Sequence, residues 1–204
     1  MARSCGRALI EAWYPGQEGG RAIADILLGH VNPSGKLPLS FIKKWEHSPV
    51  SNYYPGVNHT LNYDEGIFVE YRYFDHKKIE PLFPFGFGLS YSNFEFDSMK
   101  IEKLKLSVKI TNRSSQTDYE VLQVYVHPTS TTVLRPEQEL KAFRSVFLRP
   151  NETLEQVFIL DDTAFRYWDD QTHRWKIDSG IYEIRVGNSS RNLPLRQTIR
   201  LDSP

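Results

Sequence analysis

Residues 103–110, KLKLSVKI, alternate without a break. Leu104, Leu106, Val108 and Ile110 fall on one face, and Lys103, Lys105, Ser107 and Lys109 on the other. A period of two is the mark of a strand with one buried face. Comparable runs follow in EVLQVYV, LKAFRSVFL, TLEQVFIL, RYWD, RWKI, GIYEIRVG and RQTIRL, with NRSSQTD, LRPNE, DDQTH, DSG and GNSS as turn signals between them. Seven or eight short strands about 10 to 12 residues apart predict an immunoglobulin-like β-sandwich.

Upstream of the sandwich the pattern is different. From Gly19 or Gly20 to Leu28 the apolar residues Ala22, Ile23, Ile26 and Leu27 recur at helical spacing, and Gly29 is placed to stop the helix. Asn32–Gly35 reads as a turn and Leu37–Phe41 as a short strand, which together make one partial α/β unit. Residues 42–91 show little periodicity. They are aromatic and punctuated, and Pro81, Pro84, Gly86 and Gly88 forbid a regular element through PLFPFGFGLSY. Such a segment is expected to lie over another domain, with its aromatic side chains buried at the contact. The fold class is therefore mainly β: an immunoglobulin or fibronectin type III-like sandwich, preceded by a partial α/β unit and an irregular, aromatic-rich bridging segment. No internal repeat or low-complexity stretch is visible.

Composition narrows the function classes. The 204 residues are 40% hydrophobic, with 12 Phe, 11 Tyr and 4 Trp, which is enough to build a core. Lys plus Arg balance Asp plus Glu at 25 each, so no basic stripe for nucleic acid is expected. No apolar window is long enough to span a membrane. Cys5 is the single cysteine and the six His are scattered, which argues against a disulfide framework and a structural metal. MARSCGRALIEAW lacks the apolar stretch of a signal peptide. Sequons at Asn58, Asn112, Asn151 and Asn188 hint at a secreted origin.

Five strings in order carry a resemblance. AWYPGQEGGRAIADILLGHVNPSGKLPLSF, YDEGIFVEYRYFD, IEPLFPFGFGLSYSNFEF, the series EVLQVYV, RPEQELKAF and VFLRPNET, and RYWDDQTHRWKIDSGIYEIRVGNSS cover nearly the whole chain. Together they resemble the C-terminal portion of glycoside hydrolase family 3, the β-glucosidase and β-xylosidase family. The resemblance implies that residues 1–91 are the end of the family's α/β-sandwich domain plus a bridging segment, and that residues 92–204 are its fibronectin type III-like domain. Three departures stand out: Glu70 where the family usually has glycine, PNET in place of PGET, and a glycine-poor turn in TNRSSQTDYEV.

The resemblance also implies what this sequence does not contain. The family's nucleophile is an aspartate, typically in a Ser-Asp-Trp motif, on a (β/α)₈ barrel of about 250 residues. Its acid/base glutamate lies upstream of the PGQEGG loop. No catalytic residue is therefore assigned, and the chain alone is expected to be inactive. Whether it counts as an enzyme in its own right stays open. In the parent enzyme the implied reaction is retaining hydrolysis of terminal non-reducing β-D-glucosyl residues, without cofactor. The implied partners are a β-glycoside or glucan substrate and the catalytic barrel domain, in a secreted or periplasmic setting.

Retaining hydrolysis needs two carboxyls about 5 to 5.5 Å apart. The adjacent pairs Asp64-Glu65, Asp161-Asp162 and Asp169-Asp170 are ill suited, since neighbours on a strand point to opposite faces. Gln17 and Glu18, in the PGQEGG loop, are the candidate substrate-binding residues at the edge of a cleft. The plain alternative is a helix start, with Glu18 against the helix dipole. Arg72 is a candidate for a bidentate carboxylate pair across a domain contact. Trp168 and Trp175 fit either a sugar-stacking platform or packing at the sandwich core or its edge. A non-catalytic module that binds carbohydrate or docks on a partner through residues 52–91 is the alternative function. A free-standing sandwich with a disordered N-terminal third is the plainest.

Overall fold

The computed structural model describes residues 8–56 and 58–202. Cys5 lies outside them. The chain forms two compact units, divided between Pro33 and Ser34.

In the first unit, helix α1 spans Gly19–Leu27, as its periodicity predicts. Gly29, at φ 74°, ends it, with its N–H donated to the Ile26 carbonyl at 3.0 Å. Gly19 is required for a steric reason: a Cβ there would come within 2.6 Å of the Pro15 ring. Ile23 and Ile26 are half-buried, while Leu27 and Leu28 stay exposed.

In the second unit the sandwich is built from β1 (Phe94–Glu102), β2 (Lys105–Asn112), β3 (Asp118–Pro128), β4 (Glu139–Leu148), β5 (Thr153–Ile159), β8 (Gly180–Gly187) and β9 (Leu195–Leu201). Between β5 and β8 come β6 (Tyr167–Asp169) and β7 (Arg174–Lys176). One sheet has the order β1-β2-β5 and the other β4-β3-β8-β9, and β6 and β7 form a separate two-stranded ribbon. All the pairings are antiparallel. The core lies between the two sheets. It takes Leu106, Val108 and Ile110 from β2, Leu122, Val124 and Val126 from β3, and Tyr182, Ile184 and Val186 from β8, closed by Phe165 and Leu160. Each strand contributes every second residue, which is the alternation legible in the sequence.

Two features escape a simple period of two. Strand β1 carries a register shift between Phe96 and Ser98. Phe94 and Phe96 face inward before it, and Met99 and Ile101 after it, so the alternation changes phase at Asp97 and the strand hides. Leu104 belongs to no strand. Glu102 pairs with Lys105 across a two-residue turn of Lys103 and Leu104, both at positive φ (45° and 65°). This is the geometry of a type I′ hairpin, built without the usual Asn-Gly. The Leu104 side chain still packs on the core, and its carbonyl accepts the Leu160 N–H at 2.9 Å.

Leu37–Phe41 does not form the expected strand, and no turn forms at Asn32–Gly35. The segment runs antiparallel to residues 82–87, with Leu37 N–H to Phe87 O and Phe41 N–H to Phe83 O, but only Phe41 and Phe83 form a bridge. Pro38 and Pro84 remove the donors that a continuous ladder would need. A short helix, α2 (Tyr71–His76), interrupts the irregular region.

Replacing Lys103 by Asn should relieve the hairpin turn while leaving Leu104 in the core. A gain of about 0.5 to 1 kcal/mol in urea unfolding is expected.

Candidate functional site

The irregular segment is ordered because it covers the outer face of the β4-β3-β8-β9 sheet. Tyr71, Tyr125 and Leu193 form a second apolar cluster, with Phe85 and Leu140 against it. The Tyr71 ring meets Tyr125 edge-on at 5.8 Å and lies 5.0 Å from Phe85. The Leu140 N–H donates to the Tyr71 hydroxyl at 2.8 Å. Gln123, also buried, donates to the carbonyls of Gly86 (3.2 Å) and Asn188 (2.7 Å) and accepts from the Tyr125 hydroxyl (2.7 Å). Gly86, at φ 78°, lets the chain lie directly on that amide, since a Cβ there would overlap it.

Charged pairs run along the same seam. Lys36 and Glu120 meet at 2.7 Å, both nearly fully buried. Asp75 of α2 pairs with Arg191 at 2.9 Å and accepts from Gln138 at 3.2 Å. Burial pushes the Asp75 carboxyl up, and Arg191 opposes the shift. Arg72 reaches Glu139 through one nitrogen at 3.6 Å, a carboxylate contact but not the bidentate pair expected of it, and shares that carboxylate with Arg135 (3.3 Å) and Lys141 (3.4 Å). Burial pushes the Lys141 amine down.

Glu70 caps α2 with φ 59° and ψ −131°, a backbone conformation open almost solely to glycine. The glycine that the resemblance implies for this position would thus have a steric reason. In its place the Glu70 carboxylate accepts the backbone N–H groups of Ser40 and Tyr71. Burial raises its carboxyl above the ordinary glutamate value, and these donors pull it back.

The carboxyls flagged in the sequence do not converge on a reacting bond. Glu65 accepts the Tyr53 hydroxyl, which is pushed up to about 12 by that bond. Asp161 caps a short turn by accepting the Thr163 N–H at 2.9 Å. Asp169 is bound by Lys176 at 2.5 Å and by Thr172. Gln17 and Glu18 are exposed in the turn leading into α1, and Glu18 makes no side-chain cap. Among the described residues, no group of three or more His, Cys, Asp and Glu converges as a metal site would. A polar crevice of about 160 Å³ opens beside Asp75, Gln138, Arg185 and Arg191, whose charges are already paired. Asn112 is fully buried and Asn188 donates to Glu120, so only Asn58 and Asn151 of the four sequons have exposed side chains.

Trp168 and Trp175 lie outside both apolar clusters. They are cross-strand partners on the β6–β7 ribbon, 47% and 56% exposed, and packing in the sandwich core is not their role. Alternation within two three-residue strands cannot reveal this, because the ribbon leaves both sheets.

Two variants test these local readings. Glu70→Ala keeps the backbone strain and loses both acceptor bonds, whereas Glu70→Gly removes the strain. The glycine variant should be the more stable of the two by about 1 to 2 kcal/mol in denaturant titration. Lys176, with Thr172, holds the Asp169 carboxyl down at about 2, against an ordinary 3.8. A depressed carboxyl stabilises the fold fully above its unfolded value and loses that contribution as the pH falls through its folded value. The ribbon should therefore loosen between pH 3.8 and about 2, read as a tryptophan emission change that Asp169→Asn displays already at neutral pH.

Comparison with known proteins agrees with this architecture. The Glycosyl hydrolase family 3 C-terminal domain profile matches residues 3–91, and the Fibronectin type III-like domain profile matches residues 120–190. Thermostable β-glucosidase B of Acetivibrio thermocellus is 42% identical over 97% of this chain, which covers 27% of that protein. An exo-α-(1→6)-L-arabinopyranosidase of Bifidobacterium breve is 38% identical over 96% of the chain, again with 27% of its own length covered. The crystal structure of a family 3 β-glucosidase from Bifidobacterium adolescentis superposes with a TM-score of 0.89 at 40% identity, covering 94% of this chain and 29% of that one. The chain thus spans about a quarter of the length of the relatives it matches. It belongs to glycoside hydrolase family 3 and corresponds to the C-terminal region of that family.

Proposed function

We propose that this chain is the non-catalytic, structural end of an enzyme that hydrolyses terminal non-reducing β-D-glucosyl residues. The observation that carries the reading is the 42% identity to a β-glucosidase along nearly the whole chain, over only 27% of that enzyme. Supporting it, the buried carboxyls of the second unit are engaged in ion pairs and backbone bonds. Glu120 binds Lys36, Asp75 binds Arg191 and Glu70 binds two N–H groups, so none is poised as a nucleophile or acid. The arabinopyranosidase relative, nearly as similar, acts on a different sugar by its name. Sugar selection is accordingly assigned to the remainder of the enzyme.

In this reading the catalytic barrel is the partner of the aromatic segment. Trp45, Tyr54, Tyr63, Ile67 and Val69 are each at least half exposed, more apolar surface than one short segment usually leaves to water. Gln17 and Glu18 border the substrate cleft, and the division at residue 91 separates the α/β domain from the fibronectin-like one.

Purified chain should not turn over an aryl β-glucoside above a heat-treated control; turnover would sink the proposal. A chimera in which this chain replaces the matching part of the Acetivibrio enzyme should remain active. In that chimera, Gln17→Ala and Glu18→Ala should raise KM with little change in kcat. An inactive but folded chimera would overturn the structural role.

A further inference from the structure

We infer that the β6–β7 ribbon is a binding platform for the pyranose rings of a neutral β-linked glucan, with Trp168 and Trp175 as its stacking surfaces. The choice of a β-glucan rests on the function proposed above, but the platform itself rests on geometry.

The two indoles are directly opposed across the ribbon. Their centroids are 5.6 Å apart and their planes 75° from parallel, and half of each side chain is open to water. Large aromatic groups ordinarily dominate cores and interfaces. Here the sandwich core is closed without them.

The base under the indoles is braced. Asp169, buried beside them, accepts from Lys176 at 2.5 Å and from the Thr172 N–H at 3.2 Å. The Tyr167 hydroxyl donates to Asp178 at 3.1 Å, and the Arg135 guanidinium lies 5.2 Å from the Tyr167 ring. A ligand would meet rings already held, which lowers the ordering cost of binding.

The rim points to the chemistry of the occupant. The Arg166 guanidinium stacks over one face of the Trp175 ring, 4.6 Å from its centre, and Asp170, Gln171 and Arg174 are exposed around the turn. Arg166 and Arg174 stand with Asp170 and Gln171, so the rim offers both donors and acceptors. A flat ligand with apolar C–H faces and a ring of neutral hydroxyls fits that arrangement. A β-glucosyl residue, with its hydroxyls equatorial, is such a ligand.

The test is retardation of the purified chain in native gels cast with soluble β-glucan, alongside tryptophan emission titrated with cellohexaose. Wild type should be retarded. Trp168→Ala and Trp175→Ala should each weaken binding roughly tenfold or more, and the double variant should abolish it, with circular-dichroism melts unchanged. Phe143→Ala, which removes a more exposed aromatic on β4, should bind as wild type. Wild type that is not retarded, or a double variant retarded equally, overturns the platform. Trp-dependent retention by mannan but not by β-glucan overturns the ligand while supporting the platform. A platform that binds β-glucan on an inactive parent enzyme would sink the proposed function and leave this inference standing.

Discussion

Gln123 and Tyr125 project from the side of β3 that in a simple sandwich would face water, yet both are buried, and what buries them is residues 34–91. The rest of the second unit depends on this contact. The irregular chain pairs only some of its backbone groups internally, as between Leu37 and Phe87, so others need partners elsewhere. The sandwich supplies some of them: Gln123 on β3 donates to the Gly86 carbonyl, and the Ser190 N–H of the β8–β9 connection donates to that of Phe85. Tyr71 adds apolar area and a hydroxyl acceptor at the same place. The result is a sandwich with one outer face converted into interior.

That conversion explains where the charged residues go. Burying a carboxylate is tolerable only when it is paired and hydrogen-bonded. Glu120, Asp75, Glu139 and Glu70 each meet that requirement through a partner on another element, or through backbone donors. Carboxyls committed in this way hold the segment in register on the sheet. Exposed aromatic pairs lie at the periphery: Trp45 with Tyr54 on the segment, and Trp168 with Trp175 on the ribbon.

Much of the sandwich was legible because one-sided burial writes a period of two into the sequence. The runs at 120–126, 140–148, 153–160 and 180–187 all became strands. The helix before Gly29 was legible for the same reason at its own period. Strand β1 was hidden because the bulge at Asp97 shifts its phase. The strand expected at Leu37–Phe41 failed because two prolines withhold ladder donors. Of the candidate site residues, Arg72 met a carboxylate, but through one nitrogen rather than the expected two. Trp168 and Trp175 could not be placed, since their burial depends on where the ribbon leaves the sheets.

By itself the sequence determined the secondary-structure alphabet, the sandwich core and the family, since each is written in local spacing or in strings of adjacent residues. Only the tertiary structure decided that the outer face of β3 is interior, that Glu70 occupies a glycine conformation held by Ser40 and Tyr71, and that the tryptophan ribbon faces water. Each of these depends on groups brought together from distant parts of the chain. Local periodicity records which side of a strand is apolar, but not what comes to lie on the other.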